Sequence, residues 1–271
     1  MTIAIICDVL GEANNGTTIA AMNLIRSLRE KGHTVRVVCA DPERSDWPDY
    51  YIVPRYNFGP FNRYVEKNGV APARVDQAVL EAAISDADII HVMLPFALGK
   101  AAARYAAAHG IPLTAGFHCQ AENVTNHLRL MNVRWISNET YRIFHRRLYR
   151  YCNCIHYPTQ FICDVFESVV GPTPHRVISN GVSKEFTSGT AVSPFGSEPF
   201  TVLCIGRYSR EKRHDVLIDA VALSKHKNEI RLVFAGTGPL KEKLLRRALK
   251  RDIPLPLMRF YRRDELIDVI R

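Results

Sequence analysis

No stretch of this 271-residue chain is apolar for long enough to cross a membrane. The longest nearly unbroken run, Ile89 to Leu98, is interrupted by His91 and Pro95 and falls far short of the ~20 residues a span needs. The N-terminus is apolar, but Asp8 arrives early, with neither a basic n-region nor a small-residue cleavage site. Two phosphate-binding signatures are also missing. No Gly-x-Gly-x-x-Gly follows the first apolar run and no Walker A sequence occurs, which sets aside the usual dinucleotide fingerprint and the P-loop NTPases. Repeats of solenoid period and low-complexity tracts are absent. With 47% hydrophobic and 23% charged residues, the composition is that of a folded globular protein, and the expectation is a cytoplasmic one.

Paired cysteines are lacking too. The seven present are odd in number and scattered, and Cys7, Cys39 and Cys204 sit inside apolar strand-like runs, where a free thiol packs as a small hydrophobe. Cys152, Cys154 and Cys163, with His145 and His156, form the one local cluster. A Cys-x-Cys spacing is cramped for zinc, so the expectation is ordinary packing and no metal.

Acidic residues run short in one half only. Residues 1–199 hold 19 Lys+Arg and 18 Asp+Glu, whereas residues 200–271 hold 17 and 9. A single-sign field confined to one half suggests an anionic partner for it, or acidic residues elsewhere in a larger protein that balance it.

What is present is a strict alternation of strand-like and helix-like segments, the pattern of a parallel sheet covered on both faces. Strands are expected at Thr2–Cys7, Thr34–Ala40, Ala87–Val92, Pro112–Phe117, Cys154–Tyr157 and Arg176–Ser179. Helices are expected at Thr18–Arg29, Leu98–Ala108, Ser137–Tyr151 and Gln160–Val169. Ser188 to Pro199, rich in Ser, Gly and Pro, reads as a linker. The alternation then restarts, with strands at Phe200–Ile205 and Ile230–Ala235 and helices at Asp215–Lys225, Leu240–Arg251 and Asp264–Ile270. The expected organisation is a Rossmann-like domain over 1–187, a linker over 188–199 and a partial second domain over 200–271. Two or three βα units cannot close a doubly wound sheet, so the second domain is expected to be incomplete.

Two turns carry chemistry. The first strand opens through Gly11-Glu-Ala-Asn-Asn-Gly-Thr-Thr directly onto a helix, where Gly16 would let backbone N–H groups approach a phosphate; an ordinary turn with an N-cap explains the same residues. The strand Phe200–Ile205 ends at Gly206-Arg207-Tyr-Ser-Arg-Glu-Lys212-Arg213, which places an Arg and a Lys at the carboxyl end of a strand, where open α/β sheets bind ligands. Arg207 can hold phosphate oxygens in a fixed fork and Lys212 adds a mobile point charge; the alternative is a solvated basic loop. The next strand ends in Gly236-Thr-Gly238-Pro239.

The sequence resembles the retaining glycosyltransferases of family four. The residues that carry the resemblance are Gly206-Arg207 with Glu211-Lys212, then Phe234-Ala-Gly236-Thr-Gly238-Pro239-Leu240, Asn15-Gly16-Thr17, Phe117-His118 and Ser179-Asn180-Gly181-Val182. They occur in family order and span most of the chain. The resemblance implies the GT-B fold, two Rossmann-like domains facing across a cleft, and a nucleoside diphosphate sugar, expected to be UDP-linked, held mainly by the second. It implies that Arg207 and Lys212 neutralise the departing diphosphate. Gly16 and Thr17 would approach the donor phosphates, and His118 would hydrogen-bond the transferred sugar as the catalytic candidate. Gly236 and Gly238 would either shape the nucleotide side or simply open the helix. Transfer with retention, no protein nucleophile, no cofactor and no metal is implied. The family's two donor-contacting glutamates, with seven residues between them, would lie beyond Arg271, so the chain reads as a fragment.

For the acceptor, His118-Cys-Gln-Ala-Glu122 is similar to a segment of glycolipid-forming members, with Glu122 able to meet a hydroxyl and Asn180 a further contact. A membrane lipid or a glycan would be the acceptor. The expected helix up to Tyr151 carries Arg142, Arg146 and Arg150 at i, i+4 and i+8 opposite Tyr141, Phe144, Leu148 and Tyr151. Such a stripe can lie on anionic lipid headgroups or be a solvated face over a core. A sugar-nucleotide epimerase of the same fold and a non-catalytic nucleotide-binding fragment are the other readings. Nucleic acid is disfavoured by the lack of aromatic-interleaved basic stripes.

Overall fold

The computed structural model describes residues 1–8, 10, 16–57, 59, 62, 72–126, 133–181, 186 and 199–270. All of the expected linker over 188–199 but Pro199 lies outside them, as do Gly11, Asn15 and Val182. The chain divides into two compact units, Met1–Asn180 and Gly181–Arg271.

The first unit has seven described parallel strands: β1 (Thr2–Ile6), β2 (Thr34–Cys39), β3 (Tyr50–Ile52), β4 (Ile89–Val92), β5 (Leu113–Gly116), β6 (Cys154–Tyr157) and β7 (His175–Val177). They lie in the order β3-β2-β1-β4-β5-β6-β7. The side-chain period of two sorts β1 onto both faces of the sheet. Ala4 and Ile6 point into one core with Ile90, Val92, Ala115 and Ile155, while Ile3, Ile5 and Cys7 point into the other with Val35 and Val37. Both faces are buried, which is why the strands read as unbroken apolar runs. The helices that cover them are α1 (Gly16–Glu30), α2 (Gln77–Ile84), α3 (Ala97–His109), α4 (Ala121–Asn126), α5 (Arg134–Arg147) and α6 (Gln160–Val170). Caps fix two of their starts. The Asp76 side chain accepts from Val79 N at 3.2 Å ahead of α2, and the Thr159 hydroxyl accepts from Ile162 N at 3.3 Å ahead of α6.

One expected element changes character. Helix α5 stops at Arg147, because Leu148 leaves helical geometry (φ −138°, ψ −67°), and Tyr149–Tyr151 forms a 3₁₀ turn instead. Leu148 and Tyr149 are both buried in the core at this break. Arg150 is thereby off the helix, its guanidinium 4.6 Å from the ring centre of Tyr151. Arg142 and Arg146 both turn to Glu139, at 3.5 and 2.6 Å. The continuous arginine stripe Arg142, Arg146, Arg150 is therefore not formed.

The second unit has three described parallel strands, β8 (Phe200–Ile205), β9 (Ile230–Ala235) and β10 (Leu257–Arg259), in the order β10-β9-β8. With α7 (His214–Leu223), α8 (Lys241–Lys250) and α9 (Arg263–Ile270), they form the 3-2-1 half of a doubly wound order. Phe234 and Leu232 face α7 and α8 through Ile218, Val221, Leu244 and Ala248, while Val233 and Ala235 face Tyr261. Asp219 on α7 draws two arginines to one carboxylate, Arg247 Nε at 3.0 Å and Arg251 Nε at 2.9 Å.

The first unit's core is anchored on an aromatic stack. Phe166 of α6 is fully buried, with its ring centre 4.8 Å from Phe117, 5.3 Å from Tyr149 and 5.6 Å from Tyr141. Phe166→Ala is expected to cost about 3–5 kcal/mol. Both tryptophans, Trp47 and Trp135, lie in this unit. Urea unfolding followed by their fluorescence measures the loss directly.

Candidate functional site

In the second unit the chemistry collects at the carboxyl ends of neighbouring strands. β8 runs into Gly206, Arg207 and a 3₁₀ turn over Arg210–Lys212, and β9 runs into Gly236-Thr237-Gly238. Backbone hydrogen bonds lock the two turns together: Gly206 N donates to Ala235 O at 2.9 Å, Tyr208 N to Thr237 O at 2.8 Å, and Leu240 N to Tyr208 O at 3.2 Å. The approach is close enough that a side chain is excluded at both glycines. A Cβ on Gly236 would overlap Gly206 O, and one on Gly238 would stand 2.6 Å from both N and O of Tyr208. Beneath them Tyr208 is buried, its hydroxyl donating to Phe234 O at 2.7 Å. His214, also buried, packs edge-on to Tyr208 and Phe234. On this floor Arg207 and Lys212 are exposed, with the Lys212 stem lying against Gly206. The structure thus brings Gly206, Arg207, Lys212, Gly236 and Gly238 into one assembly on the basic unit.

In the first unit the strand order reverses between β1 and β4, which opens a crevice at their carboxyl ends. Asp8, just past β1, is fully buried there, and its Oδ1 accepts from Leu98 N at 3.3 Å. Helix α3 begins without a side-chain cap of its own, so a carboxyl from the neighbouring strand caps it. Oδ2 has no partner among the described residues, and burial pushes this acid up to about 7.

His118 follows β5, half-buried, with its ring folded back over Gly116; a Cβ there would meet the imidazole Cδ2 at 2.6 Å. His156 of β6 stands edge-on to it, ring centres 6.0 Å apart, and its Nε2–H donates to Ile178 O at 2.6 Å. His91 of β4, hydrogen-bonded to the Thr114 hydroxyl at 2.8 Å, completes a row of histidines on three adjacent strands. Burial and its histidine neighbours hold His118 down at about 4 and His91 at about 3. His118 is therefore a neutral imidazole at physiological pH, able to exchange hydrogen bonds without carrying charge.

The remaining expected residues are spread more widely. Glu122 lies in α4, and its Oε2 accepts from the Tyr141 hydroxyl at 2.6 Å, which leaves the other oxygen for a ligand. Asn180 is exposed at the end of the first unit. Gly16 and Thr17 open α1, where a Cβ on Gly16 would meet nothing within 4 Å among the described residues. Gly116, Tyr208 and Asp8 escaped the sequence reading. The first two act by leaving or filling space and the third by burial, and none of these has a motif.

The Glycosyltransferase Family 4 model matches residues 14–186, and the glycosyl transferases group 1 model matches residues 189–258. The chain belongs to glycosyltransferase family 4. Its two-unit α/β architecture is the GT-B arrangement, with the second sheet the smaller. The structure of WaaG, a glycosyltransferase involved in lipopolysaccharide biosynthesis, is similar with a TM-score of 0.66 and 15% identity over 99% of this chain and 72% of that one. A TarM variant of S. aureus, solved with fondaparinux, alpha-GlcNAc-glycerol and UDP, gives 0.62 and 10% over 96% and 77%. The catalytic domain of cholesterol-alpha-glucosyltransferase from Helicobacter pylori is 40% identical over 27% of this chain, with a TM-score of 0.25; the match spans 45% of that domain. No curated protein matches the chain. No helix among the described residues is long and apolar enough to cross a membrane.

Two outcomes test this geometry. Gly116→Ala is expected to expel the His118 ring, seen as a changed His118 imidazole shift by NMR with the fold intact. Asp8 binds its proton more tightly folded than unfolded, so the stability it contributes is full below about pH 4 and lost as pH rises through 7. Urea unfolding of Asp8→Asn should therefore show the variant gaining on the wild type between pH 5 and 8.

Proposed function

We propose that this protein is a retaining glycosyltransferase that moves a sugar from a UDP-linked donor to a hydroxyl of a membrane lipid or a glycan. The observation that carries the reading is the Arg207–Lys212 loop, set at the carboxyl end of β8 and braced on the Gly236–Gly238 turn, in a chain of this family. Charge builds on the diphosphate as the sugar leaves. Two cations on a rigid loop stabilise that charge without reorganising, and the interaction is stronger in the transition state than in the ground state. Gly236 and Gly238 let the β9 turn pack directly on the loop and so shape its nucleotide side.

His118 is assigned to the transferred sugar. A neutral imidazole can donate to or accept from a sugar hydroxyl, and Gly116 gives it a fixed seat. Glu122, oriented by Tyr141, is assigned to the acceptor hydroxyl, and Asn180 to an acceptor contact. Gly16 and Thr17 offer the N-terminus of a 15-residue helix to an anion. Family membership supports retention through front-face attack, a route in which no protein carboxylate need act as nucleophile and no metal is required.

The test is turnover with UDP-sugars and a lipid or glycan acceptor. Arg207→Ala and Lys212→Ala should each lower the rate by about 10²–10³-fold with the fold unchanged by circular dichroism. Near-normal turnover in either refutes its role. A glycosylated product with the donor's anomeric configuration supports the assignment, whereas a free epimerised sugar points to an epimerase. Competition by UDP and not by an oligonucleotide separates a sugar-nucleotide site from general anion binding.

A further inference from the structure

In the first unit, three side chains of different chemistry converge at the amino end of β7. Cys163 and Glu167 project from the same face of α6, one turn apart, and His175 opens β7. One ligand atom from each lies within 4.8 Å of the other two. The His175 ring is oriented through its Nδ1, which lies 2.9 Å from Glu167 Oε1 and 2.9 Å from Thr173 O. Both are acceptors, so Nδ1 carries the proton and Nε2 presents its lone pair. That lone pair faces Cys163 Sγ at 3.7 Å. Metal bonds of about 2.3 Å to sulfur and about 2.0–2.1 Å to nitrogen, at a tetrahedral angle, put two such atoms about 3.6 Å apart.

The surroundings fit the same geometry. Glu167 Oε1 also accepts from Thr173 N at 3.0 Å and from the Thr173 hydroxyl at 2.7 Å, which fixes the carboxylate. A histidine whose far nitrogen donates to a fixed carboxylate is the arrangement that orients metal-binding imidazoles. Cys163 is buried, but the His175 side chain is 31% and the Glu167 side chain 20% exposed, so an ion and its waters have a way in. Asp164 adds a further negative charge beside the thiol.

We infer that Cys163, His175 and the Glu167 carboxylate form a zinc-class divalent-metal site that pins the edge strand β7 to α6. Cys163 Sγ and His175 Nε2 are the two principal ligands, Glu167 orients the imidazole and lends carboxylate charge, and water completes the shell. Binding displaces the Cys163 thiol proton to solvent, and nothing is oxidised or reduced. The role is structural: β7 is the last strand of the first unit and, among the described residues, pairs on one side only, with β6, so an ion there would secure an edge strand of the sheet.

Cobalt(II) is the probe, because a thiolate ligand gives a charge-transfer band in the near ultraviolet and four-coordination gives intense visible bands. The intact chain, stripped with chelator and titrated with cobalt(II), is expected to show both bands at one equivalent, and zinc(II) should abolish them. Cys163→Ser and His175→Gln should each lose the thiolate band or weaken binding at least tenfold, while Cys154→Ser and Cys204→Ser leave it unchanged. Zinc should raise the melting temperature of the wild type and not of Cys163→Ser, both checked for folding by circular dichroism. A thiolate band that survives Cys163→Ser, or a wild type with no band and no thermal shift, overturns the assignment.

Discussion

Two glycine turns meet at the carboxyl ends of β8 and β9 with no room for a Cβ between them, and the basic loop stands on that contact. Gly236 lies against the Gly206 carbonyl and Gly238 against the backbone of Tyr208. The hydrogen bonds from Tyr208 N to Thr237 O and from Leu240 N to Tyr208 O then tie the β8 loop to the start of α8. A loop held this way pays little entropy when an anion arrives, which suits cations that must act on charge as it develops. Tyr208 makes the arrangement possible from below. Its ring fills the space under both turns and its hydroxyl ends on Phe234 O, so the floor of the loop is core.

The same device recurs in the first unit with a different outcome. Gly116 ends β5, and the His118 ring lies back over it in the space a side chain would occupy. Burial there removes the charge from the imidazole, while Arg207 and Lys212 in the second unit are exposed. The buried imidazole and the exposed cations thus lie in separate units. Asp8 shows what burial costs when it is only half compensated: one oxygen caps α3, the other finds no partner among the described residues, and the acid holds its proton.

Parallel sheets buried on both faces announce themselves, so β1, β2, β4, β8 and β9 were legible as apolar runs, and Gly110 marked the end of α3 by its left-handed φ of 68°. Short, part-exposed strands do not. β3 and β10 have three residues each and alternate weakly, and nothing in the Pro-rich stretch before Leu257 marks a strand. The end of α5 differs for a related reason: Leu148, Tyr149 and Tyr151 look helical by period, yet Leu148 leaves helical geometry, and where the helix breaks is set by the core around it rather than by spacing. Of the candidate site, the turns with glycine and cation were readable because each lies whole within a short stretch of sequence at a strand end. Gly116 and Tyr208 were not, since what they do depends on which strand lies beside them.

Cys163 shows the same limit from the other side. Sorted along the chain it falls in with Cys152, Cys154, His145 and His156; sorted in space it meets Glu167, one helical turn on, and His175, across the bend that leads into β7. Adjacency in sequence predicts ligand sets only where a short loop carries all the donors, as in zinc ribbons. Here a helix supplies two groups at i and i+4 and the following strand supplies the third. The sheet register sets that third position, because His175 stands opposite Ile155 on β6 and is held at the end of the sheet where α6 terminates. A cluster assembled by topology in this way is invisible to spacing rules, and its strength as a site depends on how firmly β7 is seated, which is the quantity a bound ion would change.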